Sequence, residues 1–327
     1  LVPRSGDEAA LATPGEFDVV ELAHIDEAGG WAYVLASPDD PTSRALYRMR
    51  LDAGGQLERI SPQDDGGSHR YQISPEARWA IHTFSSRSQP PTTELVSLPE
   101  HEVVRTLEDN EELRQALAGV DLATHSSFQV DIGDLEVDGW MMTPSDFDPA
   151  RKYPMLVFVY GEPAGQTVAN RWGRGGNLWY HLLAQQGYIV ASLDNRGTPA
   201  PRGRAWRKCV YGAIGVLASR DQAQGLQALA ERWHWLDRDR VGIWGWSGGG
   251  SMTLNMLFRH PELYHVGIAV APVPDQRLYD TIYQERYMGL PQDNVKGYHD
   301  GSALNFAKHL KGELLLIHGT GDDNCHY

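Results

Sequence analysis

"VGIWGWSGGGS" (residues 241–251) decides the fold, because it joins an apolar run to a serine that glycines flank on both sides. Gly245, Ser247 and Gly249 form the pattern Gly-x-Ser-x-Gly, and residues suited to a helix follow. In a strand-turn-helix setting, this pattern holds the serine oxygen clear of the backbone and beside amides that stabilise an oxyanion. The stretch therefore predicts a nucleophilic serine at a sharp turn. A chance glycine-rich helix start is the alternative, and a phosphate-binding loop is disfavoured because no Gly-Lys-Ser/Thr follows.

The chain around this turn alternates between strand-like and helix-like segments. The strand-like runs are residues 153–161, 188–197, 240–247, 265–273 and 312–323, the helix-like segments are 108–119, 178–187, 221–233 and 250–260, and 128–144 has a hairpin pattern. One apolar stripe at helical spacing is formed by Leu226, Leu229, Ala230 and Trp233. Strands joined through helices form a parallel sheet covered on both faces, with ligands beyond the carboxyl ends of the strands.

A different pattern, an internal repeat, occupies residues 24–107. Trp31 matches Trp79 at a spacing of 48 residues, and residues 46–51 match residues 94–99 at the same spacing. Each unit contains short alternating strands broken by Asp, Pro and Gly, and such a period is typical of β-propeller blades. Because about three or more such repeats are normally needed for stability, the two units are interpreted as the last blades of a larger propeller.

Composition excludes several classes of function. The 327 residues carry a formal net charge of −14, which disfavours a nucleic-acid partner because phosphate binding requires clustered cations. The longest apolar runs, such as residues 155–160 and 314–317, are far shorter than the roughly 20 residues of a membrane span. Cys209 and Cys325 are too few for a disulfide framework. Leu1–Arg4 is similar to a protease cleavage site left by expression, or is natural sequence.

A candidate acid follows the serine in the chain. The apolar run near residue 315 leads into Asp322 and Asp323, at the sheet edge where the acid of a Ser-Asp-His triad belongs. Taken alone, two adjacent loop aspartates are also typical of a solvated turn. A metal site formed with His318 and His326 is a further alternative, which their arrangement along a strand and loop, rather than on one helix face, disfavours.

At this point the chain resembles the prolyl oligopeptidase family of serine peptidases, and most closely its dipeptidyl peptidase IV branch. The resemblance rests on "IWGWSGGG" (243–250), "LYDTIYQERYMGLP" (278–291), "LLIHGTGDDN" (315–324), "VYGEP" (159–163) and "DNRG" (194–197). It implies an α/β fold: an α/β-hydrolase domain with a mainly parallel sheet, preceded by the last blades of a β-propeller. The domains expected are the C-terminal part of a propeller over residues 1–127 and a catalytic domain over residues 128–327.

The resemblance also implies roles for individual residues. Ser247 would be the nucleophile and Asp322 the triad acid. Tyr160 would donate its hydroxyl to the developing oxyanion together with the backbone N–H of Gly248. Without the resemblance, a strand-end aromatic with no catalytic role is the simpler interpretation of Tyr160.

A second group would bind substrate. By the same resemblance, Tyr279 and Tyr283 would line the pocket for the residue before the scissile bond, Val273 and Cys325 would complete its wall, and Asn324 would bind a substrate carbonyl. Core tyrosines on one helix face are the alternative for the tyrosine pair.

This sequence departs from the family pattern at its pocket. Gly248 stands where some relatives carry a tyrosine that walls the proline pocket, and Gln276 stands where an aromatic residue is usual. A wider pocket and a looser proline preference are therefore expected. The glutamates with which dipeptidyl peptidases bind the substrate's amino terminus belong to earlier propeller sequence.

The largest departure concerns the triad histidine, which in the family lies a few dozen residues beyond the acid. His318 precedes Asp322 on its strand, and His326 follows it too closely to reach Ser247. The expectation is that the histidine lies beyond Tyr327 and that the present chain alone is inactive, since loss of a triad member removes several orders of magnitude of rate.

The expected function is a serine peptidase that releases N-terminal dipeptides through an acyl-enzyme on Ser247, with proline or alanine at the penultimate position. The alternatives are a non-catalytic binding scaffold with a hydrolase fold, and an acylaminoacyl peptidase or esterase. A peptide substrate is expected, with no cofactor, metal, nucleic acid or membrane span. Relatives often form homodimers, and bacterial relatives are often periplasmic.

Overall fold

The computed structural model describes residues 11–52, 55–63, 66–173 and 178–327, so Leu1–Arg4 lies outside the described residues. The chain divides into two compact units. The first, here the β unit, comprises residues 1–120, 169–174 and 201–204, and the second, here the α/β unit, comprises residues 121–168, 175–200 and 205–327. The expected domain boundary after residue 127 stays a prediction.

Within its described residues, the β unit contains two antiparallel sheets of four strands each. The first sheet is formed in the order β1 (Val19–Asp26), β2 (Trp31–Ala36), β3 (Ala45–Arg50) and β4 (Glu58–Arg59). The second is formed in the order β5 (Ser68–Ile73), β6 (Trp79–Ser85), β7 (Thr92–Ser97) and β8 (Val103–Glu108). Helix α1 (Glu111–Ala118) follows within the segment predicted as helical.

The repeat seen in the sequence corresponds to these sheets. Trp31 and Trp79 each begin the second strand of a sheet, which explains their common spacing. A shared apolar core contains buried residues of both sheets, among them Leu35, Leu46 and Val96. The predicted blade-like repeats are thereby confirmed.

In the part that the structure describes, the α/β unit is built on one sheet of seven strands. Its strands are β9 (Thr124–Asp131), β10 (Glu136–Thr143), β11 (Tyr153–Phe158), β12 (Ile189–Leu193), β13 (Leu236–Trp246), β14 (Val266–Val270) and β15 (Glu313–Ile317). Its helices are α2 (Leu178–Gln185), α3 (Gly203–Lys208, shared with the β unit at its start), α4 (Val216–Arg232), α5 (Gly248–Arg259), α6 (Thr281–Met288) and α7 (Val295–Gly301). Short 3₁₀ helices span Gln276–Leu278 and Ala303–His309.

The strand order is β15-β14-β13-β11-β12-β10-β9. The five strands from β15 to β12 are parallel, and the hairpin of β9 and β10 joins them antiparallel through β12. The predicted mainly parallel sheet is confirmed. Because β11, β13, β14 and β15 run the same way, the loops that follow them meet at one sheet edge.

Helix packing follows the predicted apolar stripe. Leu226, Leu229 and Trp233 are buried in the main core, and Ala230 packs against it at partial exposure. Helix α4 begins at Val216, five residues before the predicted start. The segment was expected to begin at Asp221, yet this aspartate is buried and forms an ion pair with Arg196 at 2.7 Å (Nη2 to Oδ1).

The sequence pattern missed α3 and α7, which have six and seven residues and are too brief to show an amphipathic period. Helix α6 was considered only as the alternative setting for the tyrosine pair, although at eight residues it is as long as α1 and α2. The predicted strand-like run 312–323 is strand only to Ile317, and a loop follows. Across the described ranges, no helix has the length and apolar character to cross a membrane.

Candidate active site

Ser247 lies at a sharp turn between β13 and α5. Its backbone has φ 58° and ψ −120°, a conformation that costs a non-glycine residue about 1–3 kcal/mol. Its N–H donates to the Val270 carbonyl at 2.9 Å, which fastens the turn to β14, the neighbouring strand. The side chain is half-buried and therefore remains accessible beyond the strand ends.

The glycines around the serine are required by close backbone approach. A Cβ on Gly245 would lie 2.4 Å from the Gly249 carbonyl oxygen, and a Cβ on Gly249 would lie 2.3 Å from the Val159 carbonyl oxygen. Both contacts are with backbone, which cannot move aside as a flexible side chain can. The helix therefore packs tightly on the strand ends, as the Gly-x-Ser-x-Gly pattern predicts.

Tyr160 lies beside this turn, two residues after β11 ends. The chain turns at Gly161, which has φ 77° and whose carbonyl accepts a hydrogen bond from the Asn195 amide at 3.0 Å. The tyrosine ring approaches the turn closely, since a Cβ on Gly248 would lie 3.1 Å from Tyr160 Cζ. Gly248 is the first residue of α5, where backbone N–H groups have no acceptor within the helix.

The electrostatics keep the Tyr160 hydroxyl protonated. Burial raises its pKa to about 12, the nearby Glu162 carboxylate adds to the rise, and a hydrogen-bonding interaction with the Ser247 side chain opposes it. A protonated phenol can donate to an oxyanion. The structure therefore brings together Ser247, Tyr160 and Gly248, the nucleophile and the two oxyanion donors expected from the sequence.

Asp322 lies in the loop after β15. Its Oδ1 accepts the backbone N–H groups of Cys325 at 2.9 Å and Asn324 at 3.1 Å. These hydrogen bonds lower the pKa of the Asp322 carboxyl, with the Cys325 N–H contributing most. Its Oδ2 lies 3.8 Å from His318 Nε2, and His318 Nε2 is also 2.5 Å from the Cys325 carbonyl. These bonds favour the ionised carboxylate, while neighbouring Asp323 is exposed.

The alternative of a metal site concerned the side chains of this loop. Among the described residues, no group of three or more His, Cys, Asp or Glu side chains is placed to hold a metal ion. The Ser247 hydroxyl has no histidine partner within the same part of the chain, where its side-chain interaction is with Tyr160.

The expected pocket residues also come together. The Tyr279 hydroxyl donates to Asn324 Oδ1 at 2.9 Å, and the rings of Tyr279 and Tyr283 are 5.5 Å apart and nearly perpendicular. Tyr279 packs against a small apolar cluster that contains Val273 and Cys325. The tyrosines do not share a helix face, because Tyr279 precedes α6 and Tyr283 lies within it.

Gln276, which was expected to widen the pocket, is buried elsewhere. Its Oε1 accepts from Gln284 Nε2 at 2.5 Å, and its Nε2 donates to the Gly301 carbonyl at 3.4 Å. Both ends of its amide are therefore engaged within the core of the unit.

Glu162 is not among the residues predicted for the site, although it lies within the stretch "VYGEP" (159–163). This side chain is only 6% exposed and accepts a hydrogen bond from the Tyr283 hydroxyl at 2.9 Å. Burial raises its pKa to about 7, and the bond from Tyr283 opposes the rise. An acidic residue two positions after Tyr160, the tyrosine expected to donate to the oxyanion, was the available signal.

Comparisons with known proteins agree with this geometry. Residues 178–327 match the prolyl oligopeptidase family, and residues 1–91 match the dipeptidyl peptidase IV N-terminal region. The probable dipeptidyl-aminopeptidase B of Emericella nidulans is 36% identical over 100% of this chain and 36% of its own length. That of Aspergillus terreus is 33% identical with the same coverage.

A solved structure is similar over nearly the whole chain. Dipeptidyl peptidase 4 of Porphyromonas gingivalis is 37% identical, with a TM-score of 0.91 over 99% of this chain and 45% of its own. The chain spans 36% of the length of the two curated relatives. Both family matches, the relatives and the shared fold agree: the chain belongs to the prolyl oligopeptidase family, in its dipeptidyl peptidase IV branch.

Proposed function

We propose that this chain supplies the nucleophile, the oxyanion donors and the triad acid of a serine peptidase that releases dipeptides from the amino termini of peptides. The observation that carries the proposal is the placement of Ser247, on a strained strand-to-helix turn, against the Tyr160 hydroxyl. The relatives named dipeptidyl-aminopeptidase support the choice of reaction.

The chemistry follows from the geometry. The Ser247 oxygen would attack the carbonyl of the penultimate residue, and the oxyanion of the tetrahedral intermediate would accept hydrogen bonds from Tyr160 and the Gly248 N–H. One such donor contributes about 3–4 kcal/mol to acyl transfer. Collapse would release the shortened peptide and leave an acyl-enzyme, which water hydrolyses.

A base must take the serine proton. Asp322, which the Cys325 and Asn324 N–H groups hold in its loop, would orient a histidine, and the location of that histidine beyond Tyr327 stays a prediction. Preference for proline or alanine at the penultimate position also stays a prediction, as do the substrate-binding roles of Tyr279, Tyr283, Val273, Asn324 and Cys325.

The test is fluorophosphonate labelling of the intact protein, with Ser247→Ala as the control, followed by a panel of dipeptide amides. We expect labelling that requires Ser247 and release of dipeptides. Absence of labelling would favour a binding scaffold and overturn the proposal. Labelling accompanied by ester turnover without dipeptide release would favour an esterase.

A further inference from the structure

Glu162 places a carboxylate directly beside the nucleophile turn. A Cβ on Gly248 would lie 2.9 Å from Glu162 Oε2 and 3.0 Å from its Cδ. The carboxylate therefore occupies the direction in which a side chain at position 248 would point. Glycine at 248 and glutamate at 162 are complementary, since the first leaves the space that the second fills.

This carboxylate is incompletely neutralised. Within the described part of the chain, Tyr283 is its hydrogen-bond donor, and no Lys, Arg or His forms an ion pair with it. The titratable groups that face it are Tyr160, Tyr279, Tyr283 and Cys325, all of which are neutral acids near neutral pH. A buried carboxylate is costly unless a cation or several hydrogen bonds compensate it.

The surroundings are suited to a cation. The rings of Tyr279 and Tyr283 lie next to the carboxylate. The ring of Tyr287 extends this aromatic group, with its centroid 5.0 Å from that of Tyr283. A carboxylate together with aromatic rings is a common arrangement for binding ammonium groups.

We infer that Glu162 is a specificity-determining residue that selects a cationic side chain, such as that of lysine or a shorter amine, on the residue preceding the scissile bond. The inference rests on the proposed function, because the carbonyl of that residue would lie against Tyr160 and Gly248, the two residues that Glu162 adjoins. This selectivity would replace the proline or alanine preference that the family resemblance implies.

The first test measures binding rather than turnover. The intact protein carrying Ser247→Ala is titrated with alanyl-lysine amide and with alanyl-norleucine amide, which has the same chain without the charge. Because the pKa of Glu162 is raised to about 7, the titration is run at about pH 8.5, where the carboxylate is ionised. We expect the lysine compound to bind about 30-fold more tightly or better.

The variant Glu162→Gln, added to Ser247→Ala, removes the charge and keeps the size of the side chain. The lysine-to-norleucine affinity ratio is expected to fall close to one. Glu285→Gln, an exposed change on α6, removes the same charge near the pocket and should leave the ratio unchanged. A ratio that is insensitive to Glu162→Gln, or a ratio near one without it, would overturn the inference.

A second measurement does not depend on the variant's folding. Lysine, ornithine and diaminobutyrate amides are each compared with their uncharged isosteres, norleucine, norvaline and aminobutyrate. Selection by Glu162 predicts one preferred distance from backbone to ammonium, so the charged-to-uncharged ratio should peak within the series. A flat series near one would contradict it.

Turnover by the unmodified intact protein separates this inference from the proposed function. Release of dipeptides from alanyl-proline amide without discrimination between lysine and norleucine would retain the peptidase and reject the role of Glu162. Charge-selective binding without release of any dipeptide would retain the role of Glu162 in binding and reject the peptidase.

Discussion

Two buried carboxylates follow neighbouring strands of the α/β unit, and their surroundings differ. Asp194 comes directly after β12 and accepts the Thr167 N–H at 2.9 Å, the Thr167 hydroxyl at 3.0 Å and the Val168 N–H at 3.1 Å. Glu162 follows β11, the adjacent parallel strand, and accepts one hydrogen bond, from Tyr283, among the residues that the structure describes. Both are less than 10% exposed.

The difference supports a structural role for Asp194 and the inferred ligand-binding role for Glu162. Asp194 uses its charge to hold the backbone at Thr167 and Val168, so its hydrogen-bonding capacity is committed within the fold. Glu162 retains unused capacity beside Ser247 and Tyr160. This contrast in hydrogen-bonding partners is the reason for the inference that Glu162 binds a ligand group.

If the reaction takes place at the sheet edge near Glu162, substitution of Ser247 should lower the reaction rate more than any other change. Ser247→Ala should lower the peptidase rate of the intact protein by roughly a millionfold, as loss of a serine nucleophile does elsewhere. The folded state should persist, since the turn is fixed by the backbone bond to Val270 and by Gly245 and Gly249. Steady-state kinetics and thermal unfolding measure the two effects, and retained turnover would exclude Ser247 as nucleophile.

The next effect is expected at Tyr160. Tyr160→Phe keeps the ring packed beside Gly248 and removes only the hydroxyl, so kcat should fall about 100-fold to 1,000-fold while KM changes little. Tyr180→Phe, a matched change at a buried tyrosine outside the site, should leave kcat unchanged. A loss confined to KM would show that Tyr160 binds substrate without stabilising the oxyanion.

The sequence predicted the parts of this site whose contacts are local in the chain. The serine turn was predictable because its glycines are required by contacts within a few residues and with one adjacent strand. The blades were predictable from Trp31 and Trp79 because both begin equivalent strands. These features repeat a local pattern that a sequence displays directly.

No local pattern of this kind identified Glu162. The environment of Glu162 is set by its burial and by two neighbours, Gly248 in α5 and Tyr283 in α6. These residues are 86 and 121 positions away along the chain. Gln276 is the converse case, because a polar residue expected at the pocket is engaged by Gln284 and Gly301. The partners of Gln276 lie 8 and 25 residues away. The surroundings of both residues depend on tertiary contacts that no sequence periodicity records.

Substitution of Asp194 tests the structural role of this carboxylate. Asp194→Asn replaces one acceptor oxygen by a donor amide, so at least one of the bonds from Thr167 and Val168 is lost. The lost hydrogen bonds should lower the free energy of unfolding by about 3 kcal/mol. Burial raises the pKa of Asp194 to about 6, so removal of the charge offsets part of that loss above pH 6. Chemical denaturation measures the loss, and the rate per folded molecule should change little. An unchanged stability would contradict the structural role of Asp194.

Glu162→Gln should change the free energy of unfolding less than Asp194→Asn does, and should raise it instead of lowering it. Burial raises the pKa of Glu162 from 4.5 to about 7, so between those pH values the folded state binds more protons than the unfolded state. Stability conferred by the wild-type residue therefore falls as pH rises from 4.5 to 7, by about 3 kcal/mol in total. A glutamine side chain does not ionise and so avoids this loss of stability. Burial of its amide costs roughly 1 kcal/mol, which offsets part of the gain.

The variant should thus be more stable than wild type by about 2 kcal/mol above pH 7 and no more stable below pH 4.5. Urea denaturation across this pH range measures the difference, with Glu285→Gln as an exposed control that should follow wild type. A stabilising substitution beside a nucleophile is expected where a charge is kept for a ligand at the expense of the fold. If Glu162→Gln instead destabilises at every pH, as Asp194→Asn should, the two carboxylates serve the same structural purpose and the contrast between them fails.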